Sequence, residues 1–183
     1  MAQNPPPPVD DFDDIYAAMK KLMQDSQIVR SAHFIAAERK DRKAKVFGVL
    51  VIIINLLITS GLIEIVFKDQ GRITAAIKLL SFLAAAFAAL QTFLNFQKEI
   101  ECHRKSGGVY SNIYHRTRLV MAEYQEQPAN RPDLIGRFKA LSDEYLKAND
   151  DATVCVPTDS DYDKARARRD KIAGRDAAPA LNA

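Results

Sequence analysis

Apolar residues are unevenly spread along the chain, and their spacing divides it into segments. Before residue 46 they recur mainly at steps of three and four, through Phe12, Ile15, Tyr16, Met19, Leu22, Met23, Val29, Ala32 and Ala36. That period places them on one face of a helix over 12–45, with charged residues opposite. From Val46 to Phe67 the period vanishes, and 16 of 22 residues are Val, Ile, Leu or Phe. A helix of that length measures about 33 Å, enough to cross the hydrocarbon core of a bilayer. Summed transfer energies favour its insertion by about 5 to 10 kcal/mol. Its one charge, Glu64, stands a turn from the end. A second run, Ile73 to Phe96, holds 11 strongly apolar residues and seven alanines in 24 positions. It is the weaker span and is expected to insert as the second half of a hairpin, because the turn 68–72 is short enough to make the two helices antiparallel neighbours.

Periodicity returns after the second run. Ile100, Tyr110, Ile113, Tyr114, Thr117, Val120 and Tyr124 continue a helix out of it. Gly107-Gly108 is its expected soft point, since a glycine weakens a helix by up to about 1 kcal/mol. A further helix opens near Pro132, capped by Asn130 or Arg131, with Leu134, Phe138, Leu141 and Tyr145 along one face. The three amphipathic stripes are expected to pack together. From residue 150 onward, charge runs, Pro157 and alanines predict a mobile tail with one short helix at Asp161 to Ala173. The Pro-rich, acidic segment 1–11 predicts disorder. The expected fold is all-α: a two-transmembrane helical hairpin (46–67 and 73–96) with cytosolic helical extensions over 12–45 and 97–149, and a mostly disordered tail over 150–183.

Charge gives this hairpin an orientation. Arg39, Lys40, Arg42, Lys43 and Lys45 precede the first span, and Lys98, Arg104, Lys105 and Arg116 follow the second, whereas the turn holds only Lys68 and Arg72. The positive-inside rule therefore places both termini in the cytoplasm of a multi-pass inner-membrane protein. The net charge of +3 is read as this orientation signal, and with no interleaved aromatics, direct nucleic-acid binding is not expected. The mean hydropathy of −0.19 averages a membrane block against charged helices. Pro5 to Pro8 followed by Asp10, Asp11, Asp13 and Asp14 read as neither a signal nor a transit peptide.

Catalytic chemistry finds little support. The two cysteines, Cys102 and Cys155, have no metal-ligand spacing, so reduced thiols are expected. His33, His103 and His115 lie in charged helical stretches, and none has a second ligand at i+4. There is no phosphate loop, nucleophile elbow or paired acidic motif. No catalytic, cofactor or metal site is expected, and the chain is not read as an enzyme.

The polar residues inside the apolar runs carry the functional question. Thr74, Lys78, Ser81, Ala85, Ala88, Thr92 and Asn95 follow at alternating steps of four and three, which keeps them on one face of the second span. The first span carries Gly48, Asn55, Thr59 and Gly61. One reading is helix packing, in which small residues admit a close neighbour and Asn or Thr bonds across. The other is a water-filled path, which a single hairpin cannot enclose and which therefore requires a homo-oligomer. Glu64 and Lys78 fall at similar depth and either pair or snorkel to the interface.

Three segments carry a family resemblance. Ser31-Ala32-His33-Phe34 through Arg39, Arg42 and Gly48, the closely spaced hairpin, and Glu99 to Tyr114 with His103 and Tyr110 seven apart together resemble the SLATT proteins, two-transmembrane effectors of prokaryotic nucleotide-signalling conflict systems. A weaker echo runs from Pro157 through Asp161-Tyr162 to Ala165. The resemblance implies a pore-forming or membrane-perturbing effector of anti-phage defence, controlled by a cyclic-oligonucleotide synthase, a nucleotide-sensor domain or a reverse transcriptase. His33, His103 and Tyr110 are the expected contacts of the cytosolic bundle. Asn55, Thr59, Lys78, Ser81, Ala85, Ala88, Thr92 and Asn95 are the expected membrane path or packing residues. The alternative is a non-conducting adaptor, a hairpin that anchors a helical interaction module.

Overall fold

All regular structure in this computed structural model is helical among the described residues, which are 11–59, 70–126 and 131–177. Five helices follow one another: α1 Asp11–Thr59, α2 Gln70–Leu94, α3 Phe96–Glu126, α4 Arg131–Asp151 and, after a 3-10 turn at Ala152–Val154, α5 Asp159–Ala177. The chain divides into two compact units. One holds the residues up to Ile35 and those from Cys102 onward, and the other is Ala36–Glu101.

In the first unit the three amphipathic stripes meet as expected. Met19 and Leu22 of α1, Val120, Met121 and Tyr124 of α3, and Leu134 and Leu141 of α4 form one buried cluster. Ion pairs between Arg137 and Glu123, and between Arg116 and Glu144, fasten α4 along α3. Both pairs are solvent-exposed, so the apolar cluster supplies most of the cohesion.

The chain beyond residue 150 differs from the expected mobile tail. Helix α5 starts two residues before the expected short helix and ends four after it. Its start is a reciprocal cap. The Thr158 backbone N–H and hydroxyl both donate to the Asp161 carboxylate at 3.0 and 2.8 Å, while the Asp161 N–H donates to the Thr158 carbonyl. Such a box satisfies donors that a helix N-terminus otherwise exposes. Ala165 then packs against Ala32 and Ile35 of α1. Low apolar content suggested disorder, but one small residue at the right register lets α5 sit close.

The glycine pair is not a break either. Helix α3 runs through Gly107-Gly108 without interruption. A Cβ on Gly107 would stand 3.1 Å from the Phe34 ring, so the missing side chain is where α1 and α3 approach closely. Gly108 faces open space.

In the second unit, the end of α1 lies beside α2. Phe47 meets Phe87 and Phe96 at ring-centroid distances of 6.0 and 5.8 Å, and Ala44, Phe96 and Ile100 are buried around it. Lys40 pairs with Glu99. The break in helicity falls at Asn95, whose φ of 42° ends α2. Asparagine tolerates this left-handed conformation better than most residues with a side chain. Gln70, Gly71 and Arg72, expected in the turn, already belong to α2.

Among the described residues one helical stretch, beginning at Gln70, is long and apolar enough to cross a membrane. Its most apolar window has mean hydropathy 2.1 and is 6% buried. A clear two-span hairpin is therefore not what the described residues contain. The outer part of the first expected span, with Gly61 and Glu64, lies outside them, and with it the choice between pairing and snorkelling for Glu64 and Lys78.

The two glycines give opposite expectations for stability. Gly108→Ala gains about 0.5 to 1 kcal/mol from helix propensity alone. Gly107→Ala gains less, because Phe34 must yield, and Gly107→Val loses about 1 to 3 kcal/mol through overpacking. Denaturant or thermal midpoints of the three variants check this order, and equal midpoints for Gly107→Val and Gly108→Ala would remove the close approach.

Candidate functional site

The most polar part of the first unit's interior is built from residues 70 positions apart. The small residue Ala32 and the half-buried Val29 keep one face of α1 close to its neighbours, and His33 on that face is 1% exposed. On α3, His103 is equally enclosed. The two Nδ1 atoms lie 3.2 Å apart. At that distance one ring must present an Nδ1–H and the other a bare Nδ1, because two acceptors repel and two donors clash, so one hydrogen is shared between the two rings.

Tyr110, two turns along α3, completes the group. Its ring stacks on His33 with centroids 5.5 Å apart, and its hydroxyl donates to Asn149 Oδ1 of α4 at 2.8 Å. Burial raises the Tyr110 pKa well above the ordinary phenol range, and the neighbouring Tyr145 adds to it. The phenol therefore remains a hydrogen-bond donor. Tyr145 and Tyr162 are raised as well, chiefly by burial. A cavity of about 280 Å³ opens beside these rings, bounded by His33, Tyr110, Tyr145, Asn149, Pro157 and Tyr162.

The cysteines correct the expectation of reduced thiols. Cys102 and Cys155 are joined in a disulfide, with Cα atoms 6.2 Å apart and a sequence separation of 53. The 3-10 turn after α4 carries Cys155 back to α3, a closure that no local spacing announces. Cys155 Sγ and the ring nitrogens of His33 and His103 lie within 4.8 Å of one another, and all three residues are buried. Sequence spacing dismissed these residues as ligands because no partner sits at i+4, yet the fold gathers them from three elements. Cys102 and His103 are neighbours in the sequence, but nothing local connects them to His33 or Cys155.

No protein family, curated protein or solved structure matches this chain.

The expected bundle residues His33, His103 and Tyr110 thus share one buried site. The expected membrane-path residues are placed differently. Asn55, Thr59, Lys78, Ser81, Ala85, Ala88, Thr92 and Asn95 are all exposed. On α2 the inward positions are instead Ile77, Leu80, Ala84 and Phe87, with Ala84 buried. Within this chain the polar stripe is not the surface on which α1 and α2 pack. The hydroxyls of Thr59, Thr74 and Thr92 return to the carbonyls four residues earlier, at 3.0 Å each. This bond lets a threonine stand in an apolar setting without a partner helix.

Burial, and secondarily the charge of His103, pushes the His33 pKa down to about 4. A histidine whose folded-state value lies below its unfolded value of about 6.5 contributes stability that is complete above that value and lost on acidification. The oxidised, metal-free chain should therefore lose stability as pH falls from 6.5 toward 4, by at most about 3 kcal/mol from this group. Thermal midpoints across that range test it. His33→Gln should flatten the dependence, and an unchanged slope in that variant would assign the loss to other groups.

Proposed function

We propose that the protein is a membrane effector of the kind that the SLATT resemblance implies, in which hairpins formed by 46–67 and 73–96 associate and perturb or perforate a bacterial inner membrane. What supports this reading is the outward polar stripe on an otherwise apolar helix. Thr74, Lys78, Ser81, Ala85, Ala88 and Thr92 share one exposed face of α2. Around them large apolar side chains also face outward, including Phe82 at 70% and Phe93 at 84% exposure. A lone hairpin in lipid would present Lys78 and Ser81 to hydrocarbon at considerable cost. Association of several copies, stripe inward, removes that cost and lines a passage with the same residues.

On this reading both termini lie in the cytoplasm, the first unit is the cytosolic bundle, and no catalysis is involved. A signal from a cyclic-oligonucleotide synthase, nucleotide sensor or reverse transcriptase would act by binding one state of the assembly better than another. The competing reading is a non-conducting adaptor, favoured by the three threonines whose hydroxyls are already satisfied within their own helices.

Leucine at Ser81, Ala88 and Thr92 together separates the two. A pore should lose conductance in liposomes and depolarisation in cells while cross-linking still reports the same assembly. An adaptor should keep its biological effect with no conductance in either form. Activated, correctly inserted wild-type protein that never depolarises a membrane would end the pore reading.

A further inference from the structure

We infer that His33, His103, Cys155 and Cys102 form a thiol-gated binding site for a borderline-soft divalent cation of the zinc class. This rests on the geometry of the first unit and not on the membrane reading above. Two imidazole nitrogens on one tetrahedral zinc, each bonded at about 2.0 to 2.1 Å, stand about 3.3 Å apart. The Nδ1 atoms of His33 and His103 stand 3.2 Å apart. The proton that this nitrogen pair needs in the metal-free state occupies the place that a metal ion would take.

The third donor is in position, since Cys155 Sγ lies within 4.8 Å of both rings. The fourth, Cys102, is bonded to it. The Cα separation of 6.2 Å leaves room for the two sulfurs to part by side-chain rotation once the bond is cleaved. Donor chemistry selects the ion. Two thiolates and two imidazoles suit zinc and its tetrahedral neighbours, whereas magnesium and calcium require oxygen. Two thiolates also cancel the charge of a divalent ion, which a buried site requires.

The gate is the disulfide. In the oxidised chain neither sulfur is a thiolate, so only two nitrogens are available. A small thiol or dithiol reduces the bond by exchange: two electrons and two protons pass to Cys102 and Cys155, and the reductant leaves as its own disulfide. Metal binding then displaces the two thiol protons into solvent, requires the shared Nδ1 hydrogen to move to the Nε2 atom of its own ring, and forms two metal–sulfur and two metal–nitrogen bonds. Exchange with a small-molecule disulfide, which accepts the two electrons and leaves as two thiols, would re-form the Cys102–Cys155 bond and release the ion. In a reducing compartment the metal form is favoured, and in an oxidising one the disulfide.

The test uses the full chain in detergent micelles or nanodiscs, reduced under anaerobic conditions, desalted, and titrated with Co(II) followed by Zn(II). The reduced protein should take up about one equivalent of cobalt with thiolate charge-transfer bands and the d–d envelope of a tetrahedral ion, bleached by zinc. The oxidised protein should take up none. Cys102→Ser and Cys155→Ser should each lose about half the charge-transfer intensity, having one thiolate in place of two. His33→Gln and His103→Gln should weaken binding roughly tenfold or more while both thiols remain titratable. A reduced wild-type chain with two free thiols that binds no cobalt would overturn the assignment, as would four variants that bind like wild type. Should reduction unfold the first unit, recovery of helical circular dichroism on adding metal would support the site, and no recovery would count against it. The comparison of reduced with oxidised wild type decides the matter even where a variant does not fold.

Discussion

Two helices packed side by side can hide only the strip along which they touch, and this limit governs the second unit. Ile54 and Ala84 are buried there, whereas Val46, Val49, Ile52, Leu56, Leu79 and Phe82 are all more than half exposed. At about 25 cal/mol per Å² of apolar surface, leaving such side chains in water is costly, and no other described residue of the unit covers them. Lipid would cover them without further structure, since every backbone group of a helix is satisfied internally. The polar stripe then becomes the exception that needs its own answer. On the proposed membrane reading, backbone-bonded threonines and alanines are cheap to leave facing lipid, but Lys78 and Ser81 are not, and a second copy would cover them together.

The first unit answers a different constraint. It is too small, and its helices too charged, to hold together by apolar burial spread evenly along them. The apolar cluster of Met19, Tyr124 and Leu141 lies at one end. At the other end small residues take over, with Ala32, Ala148, Ala152 and Ala165 at the contacts. Small side chains bring backbones close but bury little area, so this end relies on specific bonds. The Tyr110–Asn149 hydrogen bond, the Arg30 guanidinium 4.4 Å over the Tyr114 ring, the histidine pair and the cysteine link are all found there.

This difference explains what the chain's linear pattern disclosed. Stripes at three- and four-residue spacing report large apolar faces, so the meeting of α1, α3 and α4 was legible from Met19, Val120 and Leu141. The expected helix over 12–45 and the start of the expected span at Val46 are one continuous helix, α1, which no proline or glycine pair interrupts before Thr59. Contacts made by small or polar residues leave no such trace. Ala165 looks like any alanine in a charged tail, and Gly107 looks like a weak point until Phe34 is seen against it. The break at Asn95 hides because asparagine reads as one more polar residue of a stripe, while its backbone does the work. His33, His103, Cys102 and Cys155 form a site only through tertiary closure, and spacing rules for ligands describe local motifs alone.

The cysteine link also bears on how the small-residue end stays closed. Tying residues 53 apart removes chain entropy from the unfolded ensemble worth about 4 kcal/mol in the loop-closure view. Reduction without replacement forfeits that contribution at the end of the unit with the least apolar cohesion, where α5 rests on α1 through Ala165. A metal held by the same two sulfurs and by both histidines closes that loop again and adds the 70-residue connection between His33 and His103. The two crosslinks are therefore not equivalent. The disulfide joins α3 to the turn after α4 and leaves α1 held by packing, whereas the metal form would join α1 as well. Exchange between them would alter how firmly α1 is held within the unit without altering its fold. A helix bundle that is to differ between two states needs an element whose attachment can change in this way.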